Sequence, residues 1–125
     1  MSEFSHFLSP VLVFVLIVVF GFWLRYKGKP YNGVLFNVHK LLALGNVIIT
    51  GMTINRLIAG YDIPALLSIF LALAGITVIA LFATGTLMSI NKLDYGLVRT
   101  VHRVSVIALV LVLMLFVNQL MHMVK

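Results

Sequence analysis

Residues 63–90 read IPALLSIFLALAGITVIALFATGTLMSI and contain no charged side chain. An α-helix needs about 20 apolar residues to cross the hydrocarbon core of a bilayer, so this stretch is long enough to span a membrane. Three further apolar stretches accompany it, and we expect membrane spans at about 7–25, 34–57, 63–90 and 97–123. The second span is the least apolar because it includes Lys40, whose long side chain would reach toward the interface.

The composition of the whole chain agrees with a location in the lipid bilayer. Of its 125 residues, 62% are hydrophobic and 10% are charged, whereas a soluble domain has about 25% charged residues. A soluble globule of this length could not bury so much apolar surface, and nucleic-acid binding is not expected. The chain has no cysteine, which excludes thiol catalysis, iron–sulfur ligation and covalent attachment of a haem through a cysteine pair.

The positions of the basic residues predict the orientation of the chain. Most of the net charge of +6 comes from residues in or beside the loops that follow the first and third spans. Because cytoplasmic loops are enriched in Lys and Arg, we expect these two loops in the cytoplasm and both termini outside, in a cell (plasma or inner) membrane. All three loops are short, so neighbouring spans run antiparallel, and the predicted fold is an all-α, up-down transmembrane four-helix bundle. The basic residues concerned are Arg25, Lys27, Lys29, Lys92, Arg99 and Arg103.

Two segments of the sequence repeat each other. Residues 33–40 read GVLFNVHK and residues 96–103 read GLVRTVHR, so both fit the pattern G-x-x-x-x-V-H-[KR] at an offset of 63 residues. Each copy follows a short loop with a tyrosine (Tyr31 or Tyr95) and opens a span that runs outward. We therefore expect one transmembrane domain, 1–125, built from two tandem helical hairpins, 1–62 and 63–125.

The repeat predicts that His39 and His102 lie at the same depth in the membrane. Each is the same number of residues from its loop, and an α-helix rises by about 1.5 Å per residue. Their helices are diagonal in the predicted bundle, and the repeat axis would turn both imidazoles inward, too far apart for a direct hydrogen bond but with room for a planar group. Since neutral imidazoles can supply both axial ligands of a haem iron, we predict His39 and His102 as the ligands of one haem b. The alternatives are a structural role, in which each imidazole only hydrogen-bonds a neighbouring carbonyl, a role in handling protons, and the binding of another metal or ligand.

Other residues near this depth complete the predicted site. Gly21 and Gly85 lie on the first and third spans, where the missing side chain would give clearance for the macrocycle. Lys40, Arg99 and Arg103 are placed to meet the two haem propionates at the cytoplasmic interface. An imidazole N–H needs an acceptor, which is either a backbone carbonyl one turn earlier or a nearby hydroxyl. The hydroxyl candidates are Thr84, Thr86, Ser89 and Ser105.

This arrangement resembles the haem-bearing four-helix bundle of b-type membrane cytochromes, including the cytochrome b subunit of respiratory quinol-oxidising complexes. In that family, histidines on the second and fourth helices ligate haem, and glycines on the first and third helices make space. The resemblance covers the architecture of the whole chain and four positions in detail, namely His39, His102, Gly21 and Gly85. The family usually carries a second histidine pair about four turns further along the same helices. Because Met52/Thr53 and Leu115/Phe116 stand at those positions here, the resemblance implies a single haem.

The sequence favours a membrane-embedded b-type cytochrome, acting as an oxidoreductase or as an electron-transfer subunit. A redox partner protein and, by analogy with the family, a quinone are its expected partners, and a homo-oligomer is compatible with the sequence. Two alternatives stay open. One is a small ion or solute channel or transporter, although no span contains Asp or Glu. The other is a cofactor-free membrane anchor or assembly subunit. We interpret His6 and His122, near the outer interface, as interfacial residues rather than as a metal or quinone site.

Overall fold

The computed structural model of the protein describes residues 3–28, 33–90 and 94–123. This part of the chain forms four α-helices and no β-strand, so the prediction of an all-α, four-helix membrane fold is confirmed. The predicted loop residues Lys29, Tyr31 and Lys92 lie outside the described residues. The helices are α1 (Leu8–Lys27), α2 (Gly33–Ile58), α3 (Ala65–Ile90) and α4 (Tyr95–Met123), and a short 3-10 turn, Glu3–Phe7, precedes α1.

Each of the four helices in the described ranges is long and apolar enough to cross a membrane. At most 22% of the most apolar window of any helix is buried within the chain, so large apolar side chains cover most of the outer surface. Phe22 and Ile79, for example, are 63% and 71% exposed. Helices that are apolar on all sides are typical of membrane spans. The protein is therefore a multi-pass membrane protein whose natural environment is the lipid bilayer.

Residue contacts divide the chain into two compact units, Met1–Gly60 and Tyr61–Lys125. The first unit is a helical hairpin in which α1 packs against α2 and the 3-10 turn contacts both helices. Gly28 ends α1: its φ of +73° favours glycine, and its N–H donates to the carbonyls of Leu24 and Arg25 at 3.1 and 3.2 Å. The buried residues of this hairpin are Phe7, Pro10, Leu24, Thr53 and Ile54.

The second unit is a helical hairpin in which α3 packs against α4. The start of α4 is fixed by Asp94, whose carboxylate accepts the N–H of Gly96 at 3.0 Å, as expected of an N-cap residue. The buried residues of α4 recur at alternating spacings of about seven and four residues, which places them on one stripe of the helix that faces α3. They are Val98, Ser105, Leu109, Phe116 and Leu120. His102 lies on this stripe, between Val98 and Ser105.

Candidate histidine sites in the two hairpins

In the first hairpin, His39 on α2 is hydrogen-bonded across to the backbone of α1. Its ring nitrogen Nδ1 lies 3.0 Å from the carbonyl oxygen of Ile17. A carbonyl can only accept, so the N–H is on Nδ1 and the lone pair of the neutral ring is on Nε2. The bond therefore fixes both the orientation and the tautomer of the imidazole.

Gly21 makes this approach sterically feasible. It lies one turn after Ile17 on α1, and the imidazole of His39 covers it. A Cβ atom built at residue 21 would stand 3.2, 3.7 and 3.9 Å from Cε1, Nδ1 and Nε2 of His39. The shortest of these distances is below an ordinary carbon–carbon contact of about 3.5–4.0 Å. The structure thus shows an imidazole, rather than open space, beside the glycine that we expected to clear a macrocycle.

In the second hairpin, His102 on α4 is hydrogen-bonded across to Thr84 on α3, one of the hydroxyl acceptors predicted from the sequence. The distance from Nδ1 to the Thr84 hydroxyl oxygen is 2.8 Å. The same hydroxyl donates to the carbonyl of Ala80 at 2.7 Å. A hydroxyl has only one proton: when it is donated to the Ala80 carbonyl, the oxygen accepts the N–H of His102, and when it is donated to Nδ1, the proton of the ring is on Nε2. The first arrangement gives His102 the tautomer of His39, with its lone pair on Nε2.

Gly85 lies beside His102 but is less crowded than Gly21. A Cβ atom at residue 85 would be 3.7 Å from Cε1 of His102, which is an ordinary van der Waals distance. Each of the two predicted glycines therefore lies beside the predicted histidine of its own hairpin. Of the two, only Gly21 lies where an added methyl group would be too close to the imidazole.

The repeat extends to the helices that hold the histidines in place. The offset of 63 residues relates His39 to His102, and it also relates Ile17 to Ala80 and Gly21 to Thr84. Both imidazoles are thus linked to the carbonyl at the same position of the preceding helix, directly in the first hairpin and through a hydroxyl in the second. The Ile17 carbonyl was not identified from the sequence, because every residue of a helix has a carbonyl and no residue type indicates which one is used.

The predicted cations lie within one helical turn of the histidines in sequence. Lys40 and Arg103 are exposed and directly follow His39 and His102. Arg99 precedes His102 by one turn and is partly buried. Its guanidinium lies over the ring of Tyr95, 5.4 Å from the ring centroid, and its buried Nε has no hydrogen-bond partner among the described residues. Each histidine therefore has basic residues at its end of the hairpin.

The structure shows no hydrogen bond between either imidazole and the hydroxyl groups of the other three candidates, Thr86, Ser89 and Ser105. Thr86 donates to the carbonyl of Phe82 at 3.0 Å and Ser89 to that of Thr86 at 2.7 Å, both within α3. Ser105 is buried on α4. His6 and His122, at the other end of the hairpins, are both exposed.

The structure also describes the positions at which b-type cytochromes usually carry a second pair of histidines. Thr53 and Phe116 are buried at 4% and 1% exposure, whereas their neighbours Met52 and Leu115 are exposed. The hydroxyl of Thr53 donates to the carbonyl of Ile49 in its own helix at 2.9 Å. The inward positions four turns beyond His39 and His102 are thus filled by a threonine and a phenylalanine, and neither is a haem ligand.

Within the described residues, no group of three or more His, Cys, Asp or Glu side chains could hold a metal ion. Comparison of the chain with protein-family models, curated proteins and solved structures found no match.

Proposed function

We propose that the protein is a membrane-embedded b-type cytochrome in which His39 and His102 are the two axial ligands of one haem. The observation that carries the proposal is the shared hydrogen-bonding state of the two imidazoles. In each hairpin, Nδ1 is hydrogen-bonded to the preceding helix, so that Nε2 is the nitrogen through which either imidazole would bind iron.

The donor set fits a haem because the porphyrin supplies four of the iron's ligands and needs only two from the protein. A bare metal ion would need more protein ligands than two histidines provide. The hydrogen bond at Nδ1 also fits this role, since it orients a ligating imidazole and raises its basicity. His39 and His102 would hold the iron of the haem through Nε2.

The surroundings of the histidines suit a group with an apolar ring and two carboxylates. The apolar spans supply a medium of low dielectric constant, and the basic residues at one end of the hairpins supply positive charge. Lys40, Arg99 and Arg103 are the residues that would pair with the propionates. When bound, the haem would carry single electrons as its iron alternates between the ferric and ferrous states.

The cellular setting of the proposal follows from charge and from family analogy. Because cytoplasmic loops are enriched in basic residues, the histidine level would lie near the cytoplasmic face of a plasma or inner membrane, with both termini outside. A quinone and a redox partner protein are proposed as electron donor and acceptor on the analogy with b-type cytochromes alone. The protein would act as an oxidoreductase or as a subunit of one, alone or as a homo-oligomer.

A visible absorption spectrum of the protein purified in detergent tests the proposal. We expect a sharp Soret band in the oxidised protein, a narrow α band after reduction with dithionite, and one haem per chain. His39→Ala and His102→Ala should each abolish the low-spin spectrum, whereas His122→Ala, a change of an exposed histidine, should leave it intact. A protein that binds no haem would contradict the proposal and leave the cofactor-free anchor and the channel as candidates. His39→Ala and His102→Ala variants that both keep the wild-type spectrum would show that other residues ligate the haem.

A further inference from the structure

The two hairpins hold equivalent histidines by different chemical groups. His39 donates to the backbone carbonyl of Ile17, whereas Nδ1 of His102 is hydrogen-bonded to the side-chain hydroxyl of Thr84, which also lies within hydrogen-bonding distance of the carbonyl of Ala80. We propose that Thr84 is the positioning residue of His102, which sets the tautomer of this imidazole and its strength as a ligand. The part about ligand strength rests on the proposed haem, and the part about the tautomer does not.

The position of the hydroxyl proton supports this role. Two carbonyl oxygens of α3 are within reach of the Thr84 hydroxyl, that of Ala80 at 2.7 Å and that of Leu81 at 3.2 Å. Thr84 is buried, with 8% of its surface exposed, and lipid chains offer no competing hydrogen bond. Because two carbonyls compete for the one proton, we infer that it lies on the α3 side and that the oxygen lone pair is directed to Nδ1 of His102. In this arrangement the hydroxyl accepts a hydrogen bond from the ring and donates one to the Ala80 carbonyl.

Other hydroxyls of α3 show what a threonine does there without such a role. Thr77 donates to the carbonyls of Leu73 and Ala74 at 3.1 and 2.8 Å, which is the usual way for a threonine to satisfy its hydroxyl inside a membrane helix. Thr84 makes the same kind of bond within α3 and, in addition, accepts a bond from α4. The additional bond across the hairpin distinguishes Thr84 from a hydroxyl that only satisfies itself.

The two imidazoles are consequently unequal. The acceptor of His39 is a backbone carbonyl, which no side-chain substitution removes. The partner that the structure shows for Nδ1 of His102 is one hydroxyl, and its removal would take this hydrogen bond away in an apolar environment, which favours a different tautomer or ring position. If the imidazole ligates iron, loss of the hydrogen bond at Nδ1 would also lower the basicity of the ring and so favour ferrous over ferric iron.

The first measurement uses the haem-free, full-length chain in detergent micelles, with nitrogen-15 spectra of the imidazoles at a pH where they are neutral. We expect the wild-type His102 to be protonated at Nδ1. Thr84→Val, which keeps the shape but removes the hydroxyl, should reduce the Nδ1-protonated fraction of His102, and Thr84→Ser should retain it. Thr77→Val, which removes a hydroxyl elsewhere on the same helix, should leave the Nδ1-protonated fraction of His102 unchanged.

The second measurement is the reduction potential of the haem-loaded protein. Thr84→Val should raise it, and a tenfold greater loss of affinity for ferric than for ferrous haem corresponds to about 59 mV. Thr84→Ser and Thr77→Val should keep the wild-type potential. A wild-type His102 protonated at Nε2 would overturn the role of Thr84, and this result does not depend on whether the valine variant folds. A folded Thr84→Val protein in which the tautomer of His102 is unchanged would overturn it as well. If no haem binds, the proposed function fails and the tautomer measurement alone decides about Thr84.

Discussion

Replacing Gly21 by alanine should disturb His39, because the new methyl group would lie too close to the imidazole. A Cβ atom at residue 21 stands 3.2 Å from Cε1 of His39, whereas carbon atoms in favourable contact are about 3.5–4.0 Å apart. The ring must therefore retreat by about 0.3–0.8 Å. Such a movement would stretch the bond from Nδ1 to the Ile17 carbonyl, now 3.0 Å, toward or beyond the upper limit of about 3.2 Å for a good N–H···O bond.

Gly85 provides a matched control in the second hairpin. A Cβ atom there would be 3.7 Å from Cε1 of His102, so Gly85→Ala should be accepted without movement of the ring. Both substitutions gain about 1 kcal/mol in helix propensity, and this gain cancels when the two variants are compared. Because an overpacked methyl group typically costs about 1–3 kcal/mol, we expect the free energy of unfolding of Gly21→Ala to be lower than that of Gly85→Ala by about this amount.

The assay is reversible unfolding in mixed micelles by titration with sodium dodecyl sulfate, combined with a double-mutant cycle. In a His39→Ala background the imidazole is absent, so Gly21→Ala should lose its cost and keep only its gain in helix propensity. Equal free energies of unfolding for Gly21→Ala and Gly85→Ala would refute the reasoning. A cost of Gly21→Ala that persists without the imidazole would refute it as well.

Three further predictions concern charge, orientation and packing. Lys40→Gln, a change of an exposed cation beside His39, should lower the reduction potential of a bound haem by tens of millivolts, because a nearby positive charge favours the reduced state; an unchanged or raised potential in a redox titration would contradict this. The chain has no cysteine, so single cysteines can report orientation: a membrane-impermeant maleimide should label Tyr61→Cys in intact cells and Tyr26→Cys only after permeabilisation, and the reverse pattern would invert the predicted topology. Phe116→Ala should destabilise the second hairpin by on the order of 2 kcal/mol or more through the cavity that it leaves, since Phe116 is 1% exposed. Leu115→Ala, at the 52% exposed neighbouring position, should cost far less in the same unfolding assay, and equal costs would argue against the packing described here.

The ends of the helices show how closely local sequence specifies secondary structure in this protein. The predicted third span began at residue 63, but α3 begins at Ala65, because Pro64 disfavours a helical conformation for the residue before it. The predicted fourth span began at residue 97, but α4 begins two residues earlier, at Tyr95, because Asp94 caps it. Both differences come from turn and cap chemistry next to the apolar runs, which hydrophobicity alone does not report.

The pairing of helices within each hairpin could also be anticipated. Short connections favour the packing of α1 against α2 and of α3 against α4, and the repeated motif places His39 and His102 at corresponding positions of α2 and α4. Gly21 lies beside His39 and Gly85 beside His102, in agreement with the expectation that the glycines are at the level of the histidines. Their role as clearance for a cofactor stays a prediction.

The amino-acid sequence by itself determined that the chain crosses a membrane four times, where the spans lie and which histidines correspond, because each of these depends on composition and spacing along the chain. Only the tertiary structure decided which atoms hold the imidazoles: the Ile17 carbonyl for His39, and the Thr84 hydroxyl, out of four candidates, for His102. The physical reason is that the spans are apolar on nearly every side, so their sequences hardly encode how each helix is rotated about its axis. A hydrogen bond depends on that rotation to within a few tenths of an ångström, and it becomes defined only when two helices pack.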